Sequence, residues 1–151
     1  MQVNPYLSFN GECEAAFTCY ARCLGGQPGE MFRYAGSPMA KDVPDDWQNK
    51  IMHASLTVGG QVLMGGDVAP DRYEKPRGFT LSIQIRSTVE AERIFHELSQ
   101  GGQVTLPLEQ TFWAARFGML IDRFGIPWQI NCEGSDAPTL PSVQGPARSS
   151  T

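Results

Sequence analysis

The chain has 151 residues and a net charge of −4, with 41% hydrophobic and 19% charged residues. This length suits a single domain that buries a hydrophobic core of its own. A mildly acidic chain without a cluster of basic residues argues against nucleic acid or an anionic membrane surface as a partner, and the sequence holds no apolar run long enough to span a bilayer.

The cysteines and the N-terminus bear on the cellular compartment. Cys13, Cys19 and Cys23 fall within one predicted helix, where disulfide geometry is poor, and Cys132 lies far along the chain. The four lack both the C-x2-C spacing and the nearby histidine of a structural zinc site. The first residues show neither the basic nor the apolar region of a secretory signal. We therefore expect free thiols in a cytoplasmic protein.

The first half of the chain predicts one helix among several strands. In order, the elements are a strand at 5–9, a helix at 12–24, a strand at 30–35 and a hairpin with strands at 51–58 and 61–64. Gly25-Gly26 ends the helix, and Gly59-Gly60 forms the turn of the hairpin. The loop at 36–50 is long for a compact domain, and its Trp47 is expected over a cleft mouth or against a second subunit.

The second half repeats this order. Its elements are a strand at 79–85, a helix at 88–99, a strand at 104–109 and a hairpin with strands at 117–121 and 127–132. Leu7-Ser8-Phe9 corresponds to Leu81-Ser82-Ile83 at an offset of 81 − 7 = 74 residues, and the apolar helix faces keep the same offset. A repeat that holds strand, helix and turn in one order indicates two copies of one structural unit.

We therefore predict an α+β fold of two β-α-β-β-β modules, at about 3–67 and 78–132, within one domain at 1–132. Residues 133–151 are rich in Ser, Pro, Gly and Thr, a composition that predicts a disordered tail.

Specific segments carry a family resemblance: Asn4–Gly11, the Glu-Ala-Phe…Tyr…Leu-Gly-Gly helix, His53–Leu56, Leu63-Met64…Asp67, Thr111–Ala114 and Asp122–Asn131. Over about residues 3–132 the chain resembles the PhnB-like branch of the vicinal oxygen chelate superfamily. That superfamily includes glyoxalase I, extradiol dioxygenases and the bleomycin and fosfomycin resistance proteins. The resemblance implies paired modules that form a curved, cleft-enclosing mixed sheet, the glyoxalase/bleomycin resistance/dioxygenase fold. It also implies a homodimer, since relatives bury open sheet surface against a second copy.

The resemblance also locates a metal site. Metal-using relatives place ligands on the first and last strands of each module, and these positions fall on Pro5, Met64, Phe79 and Gln129. Only Gln129 carries an atom suited to ligation, so the usual ligand set is missing. We expect no metal ligands and no cofactor, with any divalent metal bound weakly. One equivalent of Zn, Ni, Mn or Fe retained through dialysis would contradict this.

Some members of the branch carry the name of a ubiquinone methyltransferase. Methyl transfer from S-adenosylmethionine usually needs a glycine-rich loop between a strand and a helix. Here Gly59-Gly60 and Gly65-Gly66 flank a hairpin strand instead.

His53 and Glu109 are the candidate catalytic residues. An imidazole titrates near neutrality, so His53 suits a general base or a lone metal ligand, and a histidine bonded to a backbone carbonyl fits the same apolar context. Glu109 follows an apolar strand, where a carboxylate withdrawn from water would serve as an acid or base. An ion pair with Arg116 is the alternative. Asp67 is expected to cap the loop that follows the first hairpin, and Asp122 is expected to serve the turn of the second.

Tyr6, Trp113, Gln129 and Asn131 are the candidate substrate-binding residues. Trp113 offers an aromatic pocket wall, although a place in the core is the alternative. Gln129 and Asn131 occupy alternate positions of one strand and therefore share a face, which is either lined by ligand or simply solvated. If residues 109–131 line a ligand site, Glu109, Trp113 and Gln129 should converge with His53 and Tyr6 on one cavity.

Two functions follow from these residues. The missing ligands favour a protein that binds a small molecule in the cleft between its modules, as the drug-sequestering relatives do. The alternative is a lyase or dioxygenase-type enzyme of the same superfamily with a weak or non-standard metal site. His53 and Glu109, as candidate catalytic residues, are consistent with this alternative.

Overall fold

A computed structural model of the chain describes residues 1–134. Its helices and strands, in order, are β1 Tyr6–Phe9, α1 Cys13–Leu24, β2 Gln27–Pro28, β3 Phe32–Arg33, β4 Ile51–Val58, β5 Gln61–Asp67, β6 Leu81–Ile85, α2 Thr88–Ser99, β7 Gln103–Glu109, β8 Arg116–Ile121 and β9 Pro127–Cys132. The tail predicted at 133–151 lies, from residue 135 onward, outside the described residues. No helix within residues 1–134 is long and apolar enough to cross a membrane.

The strands form two mixed sheets, one in each half of the chain. The first has the order β1-β5-β4-β2, with β3 also pairing with β4, and the second has the order β6-β9-β8-β7. In each sheet the first strand of the half runs parallel to the last strand, and all other pairs are antiparallel. This shared topology confirms the predicted α+β fold with two β-α-β-β-β modules.

One predicted strand is shorter than expected. The strand predicted at 30–35 is present only as β3, and an additional short strand, β2, precedes it; both pair with β4, and the register shifts between Phe32 and Arg33. At Gly29 the backbone comes so close to β4 that an added Cβ would collide with Ser55 Oγ. This contact coincides with the break between the two strands.

Each helix has a defined start. On α2 the Ser87 hydroxyl caps the helix by accepting a hydrogen bond from Glu90 N at 3.2 Å. On α1 the residue before the helix provides no side-chain cap. The carboxylate of Asp67 takes that role from the end of β5, because its Oδ1 accepts from Cys13 N at 2.9 Å. Its Oδ2 accepts from Ile51 N at 2.9 Å, so the prediction that Asp67 caps the following loop is wrong.

One hydrophobic core joins the two modules. Its buried residues come from both helices and from alternate positions of the strands, such as Leu7 on β1 and Ile130 on β9. Tyr20 on α1 packs against Phe124 and Trp128 of the second module, with ring centroids 6.0 and 5.2 Å apart. We call the side of each sheet that contributes to this core its inner face and the other side its outer face.

The long loop at 36–50 contains two short 3-10 helices, Ala40–Asp42 and Asp45–Trp47. Trp47 is buried within its own chain, where its ring lies near Gly11 before α1. This differs from the expected place at a cleft mouth or subunit contact, because the 3-10 turns fold the loop back on the first module.

Candidate functional site

The outer face of the first sheet brings Tyr6 and His53 together. Leu7 and Phe9 turn into the core, so alternation along β1 directs Tyr6 outward, where it is 49% exposed. The Tyr6 and His53 rings lie 5.8 Å apart, and the Tyr6 hydroxyl donates to the carbonyl of Met52 at 3.3 Å. Burial raises the pKa of Tyr6, so its hydroxyl stays a proton donor at neutral pH. The first sheet thus offers one phenol and one imidazole side by side.

The outer face of the second sheet carries a ladder of amides. Trp128, Ile130 and Cys132 are buried on the inner face, so Gln129 and Asn131 point outward, as their spacing predicts. Both bond to β6: Gln129 Nε2 donates to Ser82 Oγ at 3.1 Å, and Asn131 Nδ2 donates to Gln84 Oε1 at 2.9 Å.

One acceptor of this ladder is left over. Asn131 Oδ1 is buried and accepts no hydrogen bond from the described residues. Its cross-strand neighbour on β8 is Phe117. An unpaired buried acceptor is costly, so this position favours a hydrogen-bond donor from outside the described chain.

Trp113 stands at the edge of this same face. Its ring lies 5.5 Å from that of Phe117 and 4.7 Å from that of Phe112. Trp113 is 54% exposed and Phe112 is 97% exposed, whereas Trp128 is buried in the core. The structure therefore excludes a core position for Trp113, which leaves its large ring available to a partner or ligand.

Glu109 ends β7 on the exposed edge of the second sheet, opposite Phe117. Its carboxylate is solvated and not withdrawn from water. The alternative ion pair with Arg116 is not formed, because Arg116 Nε lies 3.3 Å from Glu92 Oε1 on α2. Glu109 thus stands beside the aromatic group and away from His53.

The candidate residues form two sets, one on each sheet. Tyr6 and His53 make up the first set, and Glu109, Trp113, Gln129 and Asn131 make up the second. Among the described residues no hydrogen bond or ring contact joins the two sets, and none of five surface cavities is lined by both. Each set lies on the far side of its sheet from the shared core. The described part of one chain therefore gives no contact between the two sets, and their convergence on one cavity stays a prediction.

The positions that hold metal in relatives do not fit a metal here. On the outer face of the first sheet, β1 presents Tyr6 and Ser8, and the neighbouring β5 presents Met64. On the outer face of the second sheet, β6 and β9 present the hydroxyl and amide groups of the ladder. None of these is a carboxylate or an imidazole, and the ladder side chains hydrogen-bond to one another, with Asn131 Oδ1 alone left as a buried neutral acceptor without a partner among the described residues. Within residues 1–134, no group of three or more His, Cys, Asp or Glu side chains is placed to hold an ion.

Asp122 has a larger role than the turn it was expected to serve. Its Oδ1 accepts from Phe124 N and Ile126 N at 2.9 and 3.0 Å, which confirms the turn. Its Oδ2 also accepts from Trp128 Nε1 at 2.9 Å and from the hydroxyl of Tyr20. The only signal in the sequence is that buried Tyr and Trp need partners for their polar ends, and it does not say which residue supplies them.

The four cysteines are free and buried. Cys19 Sγ and Cys23 Sγ lie 3.7 Å apart on α1. Burial raises the pKa of the Cys13 and Cys23 thiols to about 12, so these two remain protonated and unreactive at neutral pH.

Comparison with known proteins gives a consistent set of matches. A family model described as 3-demethylubiquinone-9 3-methyltransferase matches residues 1–131. Protein YjdN of Escherichia coli (strain K12) is 33% identical over 141 residues, which cover 87% of this chain and 95% of YjdN.

Solved structures extend this set. Protein PA1353 from Pseudomonas aeruginosa is 48% identical, with a TM-score of 0.81 over 89% of this chain and 99% of PA1353. A Bacillus cereus protein described as a putative 3-demethylubiquinone-9 3-methyltransferase, PhnB protein, is 24% identical, with a TM-score of 0.75 over 87% of this chain and 99% of that one. Two glyoxalase/bleomycin resistance/dioxygenase proteins, each 12% identical with TM-scores of 0.61 and 0.59, share the fold alone.

Proposed function

Because the chain belongs to the 3-demethylubiquinone-9 3-methyltransferase family, the PhnB-like branch of the vicinal oxygen chelate superfamily, we propose that it binds a small molecule between two copies of itself. The resemblance in the sequence and the named glyoxalase/bleomycin resistance/dioxygenase fold are both confirmed. The ligand would lie between the outer face of the first module in one copy and that of the second module in the other.

The exposed Trp113 ring beside the amide ladder carries this proposal. A solvated sheet face normally presents charged and small polar groups, whereas this one combines aromatic rings, Met119 and an acceptor without a donor. Convergent polar groups on an apolar surface are typical of small-molecule sites. Tyr6 and Phe32 leave similar aromatic surface exposed on the first sheet.

The division of the site residues between two sheets supports a homodimer. No hydrogen bond or ring contact joins Tyr6 or His53 to Gln129 within residues 1–134. A two-fold axis would bring one set of each copy opposite the other set of its partner. Such a dimer would contain two equivalent clefts. Glu109 would stand at the rim of each cleft, where an acidic group selects ligands by charge.

No specific observation favours either enzymatic alternative, metal-dependent chemistry or methyl transfer. The metal positions lack ligands, and the described strand-to-helix connections before α1 and α2 are short and carry no glycine-rich loop. Gly65 and Gly66 lie within β5 and pack against β1 and β4. The proposed function is therefore binding, with His53 as a polar contact. Metal analysis after dialysis remains the test of the metal-dependent alternative.

Complementation between two variants tests the shared cleft. A thermal-shift screen of small aromatic and polar compounds first identifies a ligand. Tyr6→Ala and Trp113→Ala are then purified separately, and each should bind that ligand roughly 10-fold or more weakly, the loss expected for one aromatic contact. Unfolding and refolding the two variants together should restore tight binding, because each mixed dimer regains one intact cleft.

The control is each variant refolded alone, which should stay weak. Urea unfolding should show that Trp113→Ala is nearly as stable as the parent, since its ring is half exposed. Tight binding that never returns in the mixture would show that both residues act within one chain, or not at all.

A further inference from the structure

The segment between the modules, residues 68–80, forms a cavity that the proposed cleft does not use. The cavity is open to solvent, has a volume of about 910 Å³ between this segment and the end of β8, and is lined by Glu74, Lys75, Pro76, Arg77, Phe79 and Ile121. An adjoining cavity of about 450 Å³ shares Lys75 and adds Tyr73 and Arg123. Both volumes fall in the range of small-molecule sites.

The cations at this position have no carboxylate partners. Lys75 and Arg77 form no ion pair or hydrogen bond with any described residue, and Arg123 contacts only the ring of Phe124, at 4.5 Å. Some exposed arginines elsewhere in residues 1–134 are paired, as in Arg33 with Glu14 at 2.9 Å. Here three cations without a carboxylate partner among the described residues, Lys75, Arg77 and Arg123, lie around two adjoining cavities.

Charge and shape together define the class of ligand. Lys75, Arg77 and Arg123 outnumber Glu74 and Glu12 around the two cavities, and positive groups that line a concave wall concentrate anions. Arginine in particular binds carboxylate and phosphate through paired hydrogen bonds. Phe79, which is 45% exposed, gives the larger cavity an apolar wall.

We propose that this cavity, named here the linker cavity, binds a small organic anion. The carboxylate or phosphate of the ligand lies between Lys75 and Arg77, and its apolar body contacts Phe79 and Ile121. None of Tyr6, His53, Trp113 or Gln129, the residues proposed for the shared cleft, lines this cavity.

Calorimetric titration of the full chain with benzoate and with phenyl phosphate tests the proposal, with benzamide as the uncharged counterpart of benzoate. At least one anion should bind, and benzamide should bind roughly 10-fold more weakly or not at all. The identity of the better anion distinguishes a carboxylate ligand from a phosphate ligand. Added salt should weaken the binding, because both cations are exposed.

Variants locate the binding. The double variant Lys75→Ala, Arg77→Ala should lower the affinity for the anion roughly 10-fold, whereas Glu74→Gln should raise it about 2-fold. Phe79→Ala should weaken benzoate and phenyl phosphate but not inorganic phosphate. Lys41→Ala, which removes an exposed lysine from another loop, is the matched control and should have no effect.

Three results would overturn the proposal: no binding of either anion at millimolar concentration, unchanged affinity in the double variant, or an equal loss in Lys41→Ala. The circular dichroism and unfolding midpoint of each variant establish that the fold is intact. Trp113→Ala should leave anion binding unchanged. This variant therefore distinguishes a failure of the anion-site proposal from a failure of the shared-cleft proposal.

Discussion

Two aromatic side chains with polar ends, Tyr20 and Trp128, reach the same carboxylate from different modules. Asp122 accepts from both of them and from two backbone amides of its own turn. A buried carboxylate is stable only when such donors replace water. This single residue therefore joins the turn, the core and the contact between modules.

Asp122→Asn should destabilise the fold by about 3 kcal/mol, because an amide nitrogen would face donors that now bond to a carboxylate. The free energy of unfolding in urea measures this loss. Asp71→Asn, at an exposed loop position, is the matched control and should change stability by less than about 0.5 kcal/mol. Equal stability of Asp122→Asn and the parent would mean that the hydrogen bonds contribute little.

The Tyr20 hydroxyl gives the same contact a dependence on pH. Burial, and then the negative charge of Asp122, hold the pKa of Tyr20 well above its ordinary value. A raised pKa of this kind contributes stability that is complete below the pKa of the unfolded chain, about 10, and is lost as pH rises from there towards the folded pKa.

Tyr20→Phe should therefore be less stable than the parent at neutral pH, by about 1.5–3 kcal/mol for a hydrogen bond to a charged group. The difference should shrink as pH rises above about 10, because the parent loses stability there and the variant has no hydroxyl at this position to ionise. Urea midpoints of both proteins across the alkaline range measure the difference. A gap that stays constant with pH would exclude this role for Tyr20.

At the scale of elements, β5 owes its position to two glycines. A Cβ on Gly65 would lie 2.7 Å from the carbonyl oxygen of Leu7 on β1, and one on Gly66 would lie 2.5 Å from that of Met52 on β4. A Cβ on Gly66 would also approach the Tyr6 hydroxyl at 2.8 Å. These glycines thus serve strand packing and the placement of Tyr6, which explains their presence without a cofactor.

Gly66→Ala should cost about 1–3 kcal/mol of stability, since a backbone must move to admit the methyl group. It should also weaken any ligand that depends on Tyr6, because the hydroxyl is displaced. The comparison is Thr57→Ala, an exposed position on β4 that should be close to neutral. Unchanged stability with lost binding would instead indicate that a ligand approaches Gly66 directly.

At the scale of the whole molecule, exposed aromatic and apolar side chains mark both sheets. They are Tyr6 and Phe32 in the first module, and Val104, Leu106, Phe112 and Trp113 in the second. β7 also forms the free edge of its sheet. A second copy that covers these surfaces would remove them from water.

Sedimentation equilibrium should give twice the chain mass of 16.6 kDa. The Phe112→Ser, Trp113→Ser double variant should shift the protein towards monomer, because both rings lie on the surface that the second copy is proposed to cover. Val89→Ser, an exposed apolar position on the first turn of α2, is the control and should leave the mass unchanged. A parent mass of 16.6 kDa at every concentration would contradict the dimer.

Local pattern was sufficient to predict the modules. The spacing of apolar residues and the glycine turns predicted both helices and nearly every strand, because these signals arise between neighbours in the chain. The repeat at an offset of 81 − 7 = 74 residues then showed that the elements form two modules. Strand alternation also placed Gln129 and Asn131 on one face. Sequence alone missed β2 and made β3 too long, since the pairing of this segment with β4 depends on the close approach of Gly29 to Ser55.

The relation between the modules depended on tertiary structure. Alternation assigns a side chain to one face of its own strand, but it does not say what lies opposite that face. Tyr20 and Asp122 are 102 positions apart, and their contact follows from how α1 packs against the second module. The same packing turns both inner faces towards one core and separates His53 from Gln129, because a sheet presents only one of its faces to a shared core.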